Sequence, residues 1–185
     1  MGPSCSAAGP PPVAHFLARM SPDFAALDAH YATARAMLGW SDGRFFGRVP
    51  ERSGWSPAEH LWHTEAAARG VLAAIVAIQR GRAAAAEVSL RATAFLSVGE
   101  ISRGRSQAPA TATPPDGLTR EAVEALVGKN AAAWARLRDE AEGLPAIPGT
   151  VDHPLLGPLR AADWVRFAGI HAAHHDAIAA EVAAE

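Results

Sequence analysis

The chain lacks the features that mark secreted, membrane-spanning or nucleic-acid-binding proteins. Its only cysteine, Cys5, has no second cysteine to pair with, so no disulfide framework can form and a reducing compartment is permitted. The formal charge of -2 at pH 7 provides no basic excess for a polyanion. No apolar run approaches the roughly 20 residues that cross a bilayer, and no signal-peptide pattern is present. We therefore expect a cytoplasmic protein without nucleic-acid or membrane partners.

The composition indicates one ordinary domain. Nearly half of the 185 residues are hydrophobic (49%), which is enough to build a full core. Residues 1–12 are rich in Pro, Gly, Ser and Ala and are predicted to form a disordered leader. Residues 13–185 are predicted to fold as a single domain.

Apolar residues recur at helical spacing in five segments. The predicted helices cover residues 13–38, with Ser21 and Pro22 starting the main part, and then residues 57–80, 83–96, 119–143 and 160–182. The clearest start is a capping box of Ser56 and Glu59 with Pro57 at the first helical position. Strand-like alternation of useful length is missing. The prediction is an all-α fold, a four-helix bundle with long crossover connections and one short accessory helix.

Histidines are concentrated near the middle of the last predicted helix, in the segment His171-Ala-Ala-His174-His175. His171 and His175 are four residues apart and would lie about 6 Å from each other on one helix face, where two imidazoles can share a metal ion. A transition metal usually takes at least three protein ligands. His60 or His63, at the start of the second long helix, could supply the third.

The spacing leaves other interpretations open. His171 and His175 could instead be ordinary partly buried histidines, each satisfied by a hydrogen bond. A catalytic rather than a structural metal is favoured, because structural zinc sites commonly use thiolates and this chain has none available. No His-Glu-x-x-His motif or its inverse is present, which disfavours zinc proteolysis and leaves activation of a water or thiol to the metal itself. Imidazole ligands suit zinc, nickel, iron and copper alike.

Several motifs together resemble the DinB and YfiT-like metalloenzyme superfamily. The family's second helix opens with Trp-Ser-x-x-Glu and carries a metal-binding histidine eight residues after the tryptophan; Trp55 plus eight is His63. The last helix of the family carries His-x-x-His-His, as in residues 171–175. The stretches His153-Pro-Leu-Leu-Gly and Ile101-Ser-Arg-Gly-Arg also look like segments of one branch.

The resemblance implies a four-helix bundle in which His63, His171 and His175 bind a divalent metal, with zinc or nickel expected before iron. It also implies a thiol transferase that uses a low-molecular-weight thiol such as mycothiol or bacillithiol. The alternatives are a metal-dependent hydrolase and a metal-binding bundle without turnover. Arg103, Arg105 and Glu65 are the candidates for catalytic or substrate-binding side chains, the expected partners are a small-molecule substrate and the thiol, and a homodimer is expected.

Overall fold

The protein is mostly helical. The computed structural model describes residues 13–104 and 107–185, with side chains described from residue 22 onward; the predicted leader and Arg105 lie outside the described residues. The elements in chain order are α1 (Val13–Leu38), α2 (Asp42–Phe46), α3 (Pro57–Gln79), α4 (Leu90–Val98), α5 (Arg120–Asp139), β1 (Val151–His153), β2 (Gly157–Leu159) and α6 (Ala161–Val182). The all-α prediction is confirmed at this coarser level, and the small hairpin is an addition to it.

The four longest helices, α1, α3, α5 and α6, bury their apolar stripes against one another. Helix α6 packs most extensively on α3 and α1, and α3 also packs on α5. Fully buried side chains from three of these helices, Ile75, Trp134 and Val165, meet in the core. Burial of this kind supplies most of the stability of helices whose individual propensities are modest. The packing fixes α3 and α6 side by side, and these two helices carry the clustered histidines.

Capping residues place the helix starts where the sequence predicts them. The Ser56 hydroxyl accepts a hydrogen bond from the Glu59 backbone N–H, and the Glu59 carboxylate accepts one from the Ser56 N–H, which completes the predicted capping box. Thr119 caps α5 in the same way through the Ala122 N–H. The start of α6 at Ala161 also agrees with the prediction.

The accessory helix is shorter than predicted. It covers Leu90–Val98 rather than residues 83–96, because the backbone of Ala84 pairs with Thr150 in an isolated antiparallel bridge. Ser89 then caps the helix through the Ala92 N–H. An alanine-rich sequence predicts helix, and tertiary pairing overrides that propensity here.

Three further differences concern the ends and connections of helices. Helix α1 runs through Pro22 without a break, so the predicted restart at Ser21 is wrong; one missing N–H does not end a helix that continues on both sides. The five-residue helix α2 forms in a connection that was predicted to be irregular. Strands β1 and β2 pair antiparallel with Val151 opposite Leu159, and three-residue strands are too short to show alternation in sequence.

Helix α3 is the one helix among the described residues that is long and apolar enough to cross a membrane by length and composition alone. Half of its most apolar window is buried inside the protein. The buried part includes Glu65, His60 and His63, whose polar groups are hydrogen-bonded to other elements of the fold. These contacts are those of a core helix.

Candidate metal centre

Helices α3 and α6 bring His63, His171 and His175 together. One ring nitrogen from each residue lies within 4.8 Å of the other two. The Nε2 atoms of His63 and His171 are 3.2 Å apart. Two imidazole nitrogens that share one tetrahedral ion at 2.0 to 2.1 Å would be about 3.3 Å apart, so this pair already has the spacing of co-ligands.

The backbone fixes the orientation of His63. Its Nδ1–H donates to the carbonyl oxygen of Ala112, 2.7 Å away, in a short 3-10 turn of the loop between α4 and α5. A carbonyl only accepts, so the single proton of the neutral ring is on Nδ1 and the lone pair is on Nε2. This is the usual way in which an outer partner prepares a histidine for a metal.

The clustered imidazoles are neutral at pH 7. Burial, reinforced by neighbouring imidazoles, lowers the pKa of His171 to about 3 and the pKa of His175 still further. Burial also lowers the pKa of His63, against the opposing effect of its backbone hydrogen bond. No carboxylate belongs to the cluster among the described residues. Neutral imidazole is the form that binds a metal, so the environment favours the ligand state.

Two aromatic side chains hold the rings of the cluster. The indole of Trp55 lies 4.9 Å from the ring of His63, centroid to centroid. Phe167 stacks on His171 at 5.6 Å with an interplanar angle of 22°. These contacts restrict ring rotation and exclude water from one side of each imidazole, which preorganises the nitrogens.

A family comparison agrees with this geometry. A sequence model of the DinB superfamily matches residues 11–179, a range that contains all three histidines. The chain belongs to the DinB superfamily. No curated protein and no solved structure matches the chain.

The remaining histidines of the DinB motifs lie outside the group of three. His174 is half-buried beside His175 on α6. His153, in the hairpin, accepts hydrogen bonds on Nδ1 from the backbone N–H groups of Leu155 and Leu156. His153 therefore organises a turn.

Neither Glu65 nor Arg103 belongs to the histidine cluster in the part of the chain that the structure describes. Glu65 is fully buried and accepts hydrogen bonds from groups on other helices rather than from a clustered histidine. Arg103 forms a two-pronged ion pair with Glu181 of α6, at 2.6 and 2.7 Å, and both side chains are about half exposed. Arg105 is not among the described residues. Catalytic roles for all three stay predictions.

Sequence reasoning missed His30, the partner of Glu65. His30 is buried on α1, with Nε2 2.9 Å from Glu65 and Nδ1 2.9 Å from Asp176. Burial opposes its charge, but the two carboxylates prevail and raise the pKa of His30 to about 9. The signal that could have found it is a histidine on the apolar stripe of α1, between Leu27 and Tyr31.

The Glu65 carboxylate is held from two more directions. Tyr31 donates its hydroxyl to Glu65 at 3.4 Å, and the side-chain amide of Asn130 on α5 donates at 2.6 Å. The same amide also donates to the Glu65 backbone carbonyl at 2.8 Å. The network therefore joins α1, α3, α5 and α6 in one buried polar cluster, in which every group that we describe has a partner.

A cleft of about 330 Å³ opens on another face of α6. Its lining combines small and apolar residues with the polar side chains of Glu100, Arg103 and His174. The α6 residues of the cleft lie roughly 100° around the helix from the clustered histidines, so the cleft borders the cluster without including it. It is lined by Gly99, Glu100, Ile101, Arg103, Ile170, Ala173, His174 and Ala177.

Proposed function

We propose that this DinB protein is a divalent-metal-dependent enzyme in which His63, His171 and His175 hold the metal. The observation that carries the proposal is the convergence of three neutral ring nitrogens from two helices, with His63 already in the tautomer that offers Nε2. As part of the same proposal, α1, α3, α5 and α6 form the four-helix bundle expected of the family. Two copies of the chain are expected to form a homodimer.

The donor set favours some metals over others. Three imidazoles suit zinc, nickel and iron, whereas calcium and magnesium prefer carboxylate and carbonyl oxygens. A fully structural zinc site would close all four positions with protein ligands, and among the described residues only three histidines converge. When bound, such a metal lowers the pKa of a thiol or a water that occupies a remaining position.

The reaction that we propose is transfer of a low-molecular-weight thiol to an electrophile. A thiol with a pKa of about 8.5 needs less activation than water, whose pKa is about 15.7, and it therefore needs no separate general base. The carboxylates next to the cluster in sequence, Glu65 and Asp176, are occupied by His30 and are not free to accept a proton from substrate. This arrangement favours thiol transfer over hydrolysis.

The neighbouring cleft supports a small-molecule substrate. Its apolar lining residues and the guanidinium of Arg103 suit a molecule with an apolar body and a carboxylate. Thiol cofactors of the mycothiol and bacillithiol type are the expected co-substrates. A flexible loop arginine can exchange Glu181 for such a carboxylate, because both partners of the present ion pair are exposed to solvent.

The first test is metal content. Protein purified without a histidine tag is analysed for metals, as the wild type and as His63→Ala, His171→Ala and His175→Ala, with His174→Ala as the matched control. We expect near-stoichiometric metal in the wild type and the control, and loss in the other three variants. A folded wild type that is metal-free and cannot be reconstituted would contradict the proposal.

The second test separates the reactions. Metal-loaded protein is incubated with an alkylating electrophile, with and without a panel of low-molecular-weight thiols, and loss of the electrophile is followed. Enzyme-dependent loss that requires a thiol supports the transferase. Loss without any thiol would indicate the hydrolase, and no turnover by a metal-loaded protein would indicate a binding bundle.

A further inference from the structure

His60 lies directly behind His175 in the candidate metal centre. Its Nδ1 is 3.0 Å from Nδ1 of His175, and its Nε2 is 2.8 Å from the hydroxyl oxygen of Ser53. The side chain is buried, with 3% of its surface exposed. Both nitrogens of His60 are therefore engaged in hydrogen bonds, and the one that faces α6 contacts a residue of the histidine cluster.

The positions of the protons in this chain follow from the contacts. Two Nδ1 atoms at 3.0 Å need one proton between them. With Nδ1 of His175 turned to His60, its Nε2 is the nitrogen left for a metal, and the proton of the neutral ring is then on Nδ1. His175 therefore donates to Nδ1 of His60.

The hydrogen bond between His60 and Ser53 then has only one possible donor. A neutral His60 that accepts on Nδ1 carries its own proton on Nε2 and donates it to the hydroxyl oxygen of Ser53. That oxygen also accepts from the backbone N–H of Trp55, 3.1 Å away. Ser53 thus serves as an acceptor held in place by the backbone, immediately before α3 begins.

We propose that His60 is a positioning residue of the metal site, which orients His175 and fixes its tautomer by accepting a hydrogen bond from Nδ1, with Ser53 as the anchor behind it. The inference rests on the proposed function. In metal sites a carboxylate or backbone carbonyl usually has this role, and its loss typically lowers metal affinity 10- to 100-fold. Here the imidazole of His60 accepts the hydrogen bond from His175. For His63 the acceptor is the Ala112 carbonyl.

His60 does not act as a fourth ligand in this arrangement. It is not one of the residues whose nitrogens all lie within 4.8 Å of one another. Its Nδ1 faces Nδ1 of His175, and its Nε2 is hydrogen-bonded to Ser53. A ligand role would require one of these nitrogens to give up its hydrogen bond.

The test compares two substitutions at His60 by their Co²⁺ affinity and by the visible absorption of the Co²⁺ form. His60→Leu has a comparable size but no acceptor. His60→Asn places its side-chain oxygen near the position of Nδ1 and can accept the hydrogen bond, although it is a poor ligand for a transition metal. The matched control is His174→Leu, at the half-buried histidine beside His175.

We expect His60→Leu to weaken Co²⁺ binding about 10- to 100-fold, with most of the loss recovered in His60→Asn and none seen in the control. The absorption spectrum should keep the same ligand field in His60→Asn. If the asparagine variant binds as weakly as the leucine variant and its spectrum shows one nitrogen ligand fewer, His60 is a ligand and the inference is wrong. Wild-type affinity in a folded His60→Leu protein would also overturn it.

A second variant keeps the test independent of folding at position 60. Ser53→Ala removes the anchor from a half-buried loop position and should weaken Co²⁺ binding several-fold; an unchanged affinity would contradict the chain of hydrogen bonds. Different results would contradict the proposed function and the role of His60. A wild type that binds no metal contradicts the proposed function together with the role of His60, whereas wild-type affinity in His60→Leu contradicts the role of His60 alone.

Discussion

Two groups of buried histidines meet at α6, and they take opposite protonation states. His30 lies between Glu65 and Asp176 and has its pKa raised to about 9, whereas His171 has its pKa lowered to about 3. Desolvation opposes the charge on the buried His30 and on the half-buried His171 alike, so it does not alone decide which ring is charged. The difference is the presence of carboxylates around one ring and of other imidazoles around the other.

The comparison shows how one fold uses the same side chain for two purposes. A protonated His30 binds two carboxylates and joins helices, which requires a positive charge. A metal ligand must be neutral, and the cluster excludes carboxylates and stays neutral. Asp176 and His175 are adjacent on α6 and belong to different groups, because successive residues of a helix point about 100° apart.

The largest expected effect is a loss of metal binding that is confined to one group. His171→Ala should reduce metal affinity by more than the 10- to 100-fold typical of an outer partner, because it removes a direct ligand. His30→Gln should leave one metal per chain, since His30 does not belong to the cluster. Titration of the untagged apo proteins with Zn²⁺ against a chelating dye measures both. Equal losses in the two variants would break the distinction between the groups.

The second prediction concerns the stability of the apo protein, for which the substitution of His30 should have the large effect. His30→Gln should lower the free energy of unfolding of the apo protein by about 3–5 kcal/mol, because it leaves the buried carboxylate of Glu65 and the partly buried one of Asp176 without their cation. The matched His174→Gln variant, at a half-buried position without such partners, should change it by less than about 0.5 kcal/mol. Urea unfolding followed by circular dichroism gives both values. A loss below 1 kcal/mol for His30→Gln would show that the network is not charged as described.

The pH dependence of stability should also distinguish His30 from the clustered histidines. A histidine with a raised folded pKa stabilises fully below its unfolded pKa of about 6.5 and loses that contribution as pH rises through about 9. His30 contacts Glu65, Asp176 and Tyr31, and it lies near His171. Between pH 6.5 and 9.5 the apo protein should therefore lose about 3 kcal/mol, and Asp176→Asn, which lowers the pKa of His30, should lose less.

The clustered histidines should act in the opposite pH range. Groups with a lowered folded pKa contribute stability above about 6.5 and lose it as pH falls, so the apo protein should weaken below pH 6.5. His171→Ala should reduce this acid-side loss without altering the loss on the alkaline side. Urea midpoints measured from pH 4.5 to 9.5 separate the two contributions. An acid-side loss that is unchanged in the variant would contradict the lowered pKa of His171.

Metal binding itself should be insensitive to mild acid. Three ordinary imidazoles with a pKa near 6.5 would lose roughly 70-fold in apparent affinity at pH 6 through proton competition. In this cluster burial already favours the neutral rings, with the pKa of His171 at about 3, so affinity should change little between pH 8 and 6. Calorimetry in buffers of different ionisation enthalpy checks this, because few protons should be released on binding at pH 6.5.

Much of this arrangement could be predicted from sequence, because it depends on local signals. The four-residue spacing of His171 and His175, and the capping box at Ser56, follow from helix geometry and need no tertiary information. The choice of His63 over His60 came from family resemblance. In the structure His63 lies in the cluster and His60 contacts His175, and the ligand role of His63 stays a prediction.

The missed features are those that depend on contacts between distant segments. Glu65 could be assigned to the cluster from sequence because it follows His63 by two residues, yet it points to His30, 35 positions earlier in the chain. The Ala112 carbonyl that fixes His63 belongs to a loop with no motif. The bridge between Ala84 and Thr150 that shortens the accessory helix is likewise invisible to periodicity. Local patterns place side chains on a helix face, and packing decides what that face meets.

The smallest expected effect lies at Arg103, outside both buried groups. Arg103→Gln should leave metal affinity and unfolding free energy unchanged, because its ion pair with Glu181 is exposed to solvent. If Arg103 binds a carboxylate of the thiol, the substitution should raise KM for the thiol a few-fold without changing kcat, since that contact is equal in the ground and transition states. Glu181→Gln, which frees the guanidinium, should lower KM. Steady-state kinetics of this matched pair decides the matter, because a fall in kcat at constant KM would place Arg103 in the chemical step.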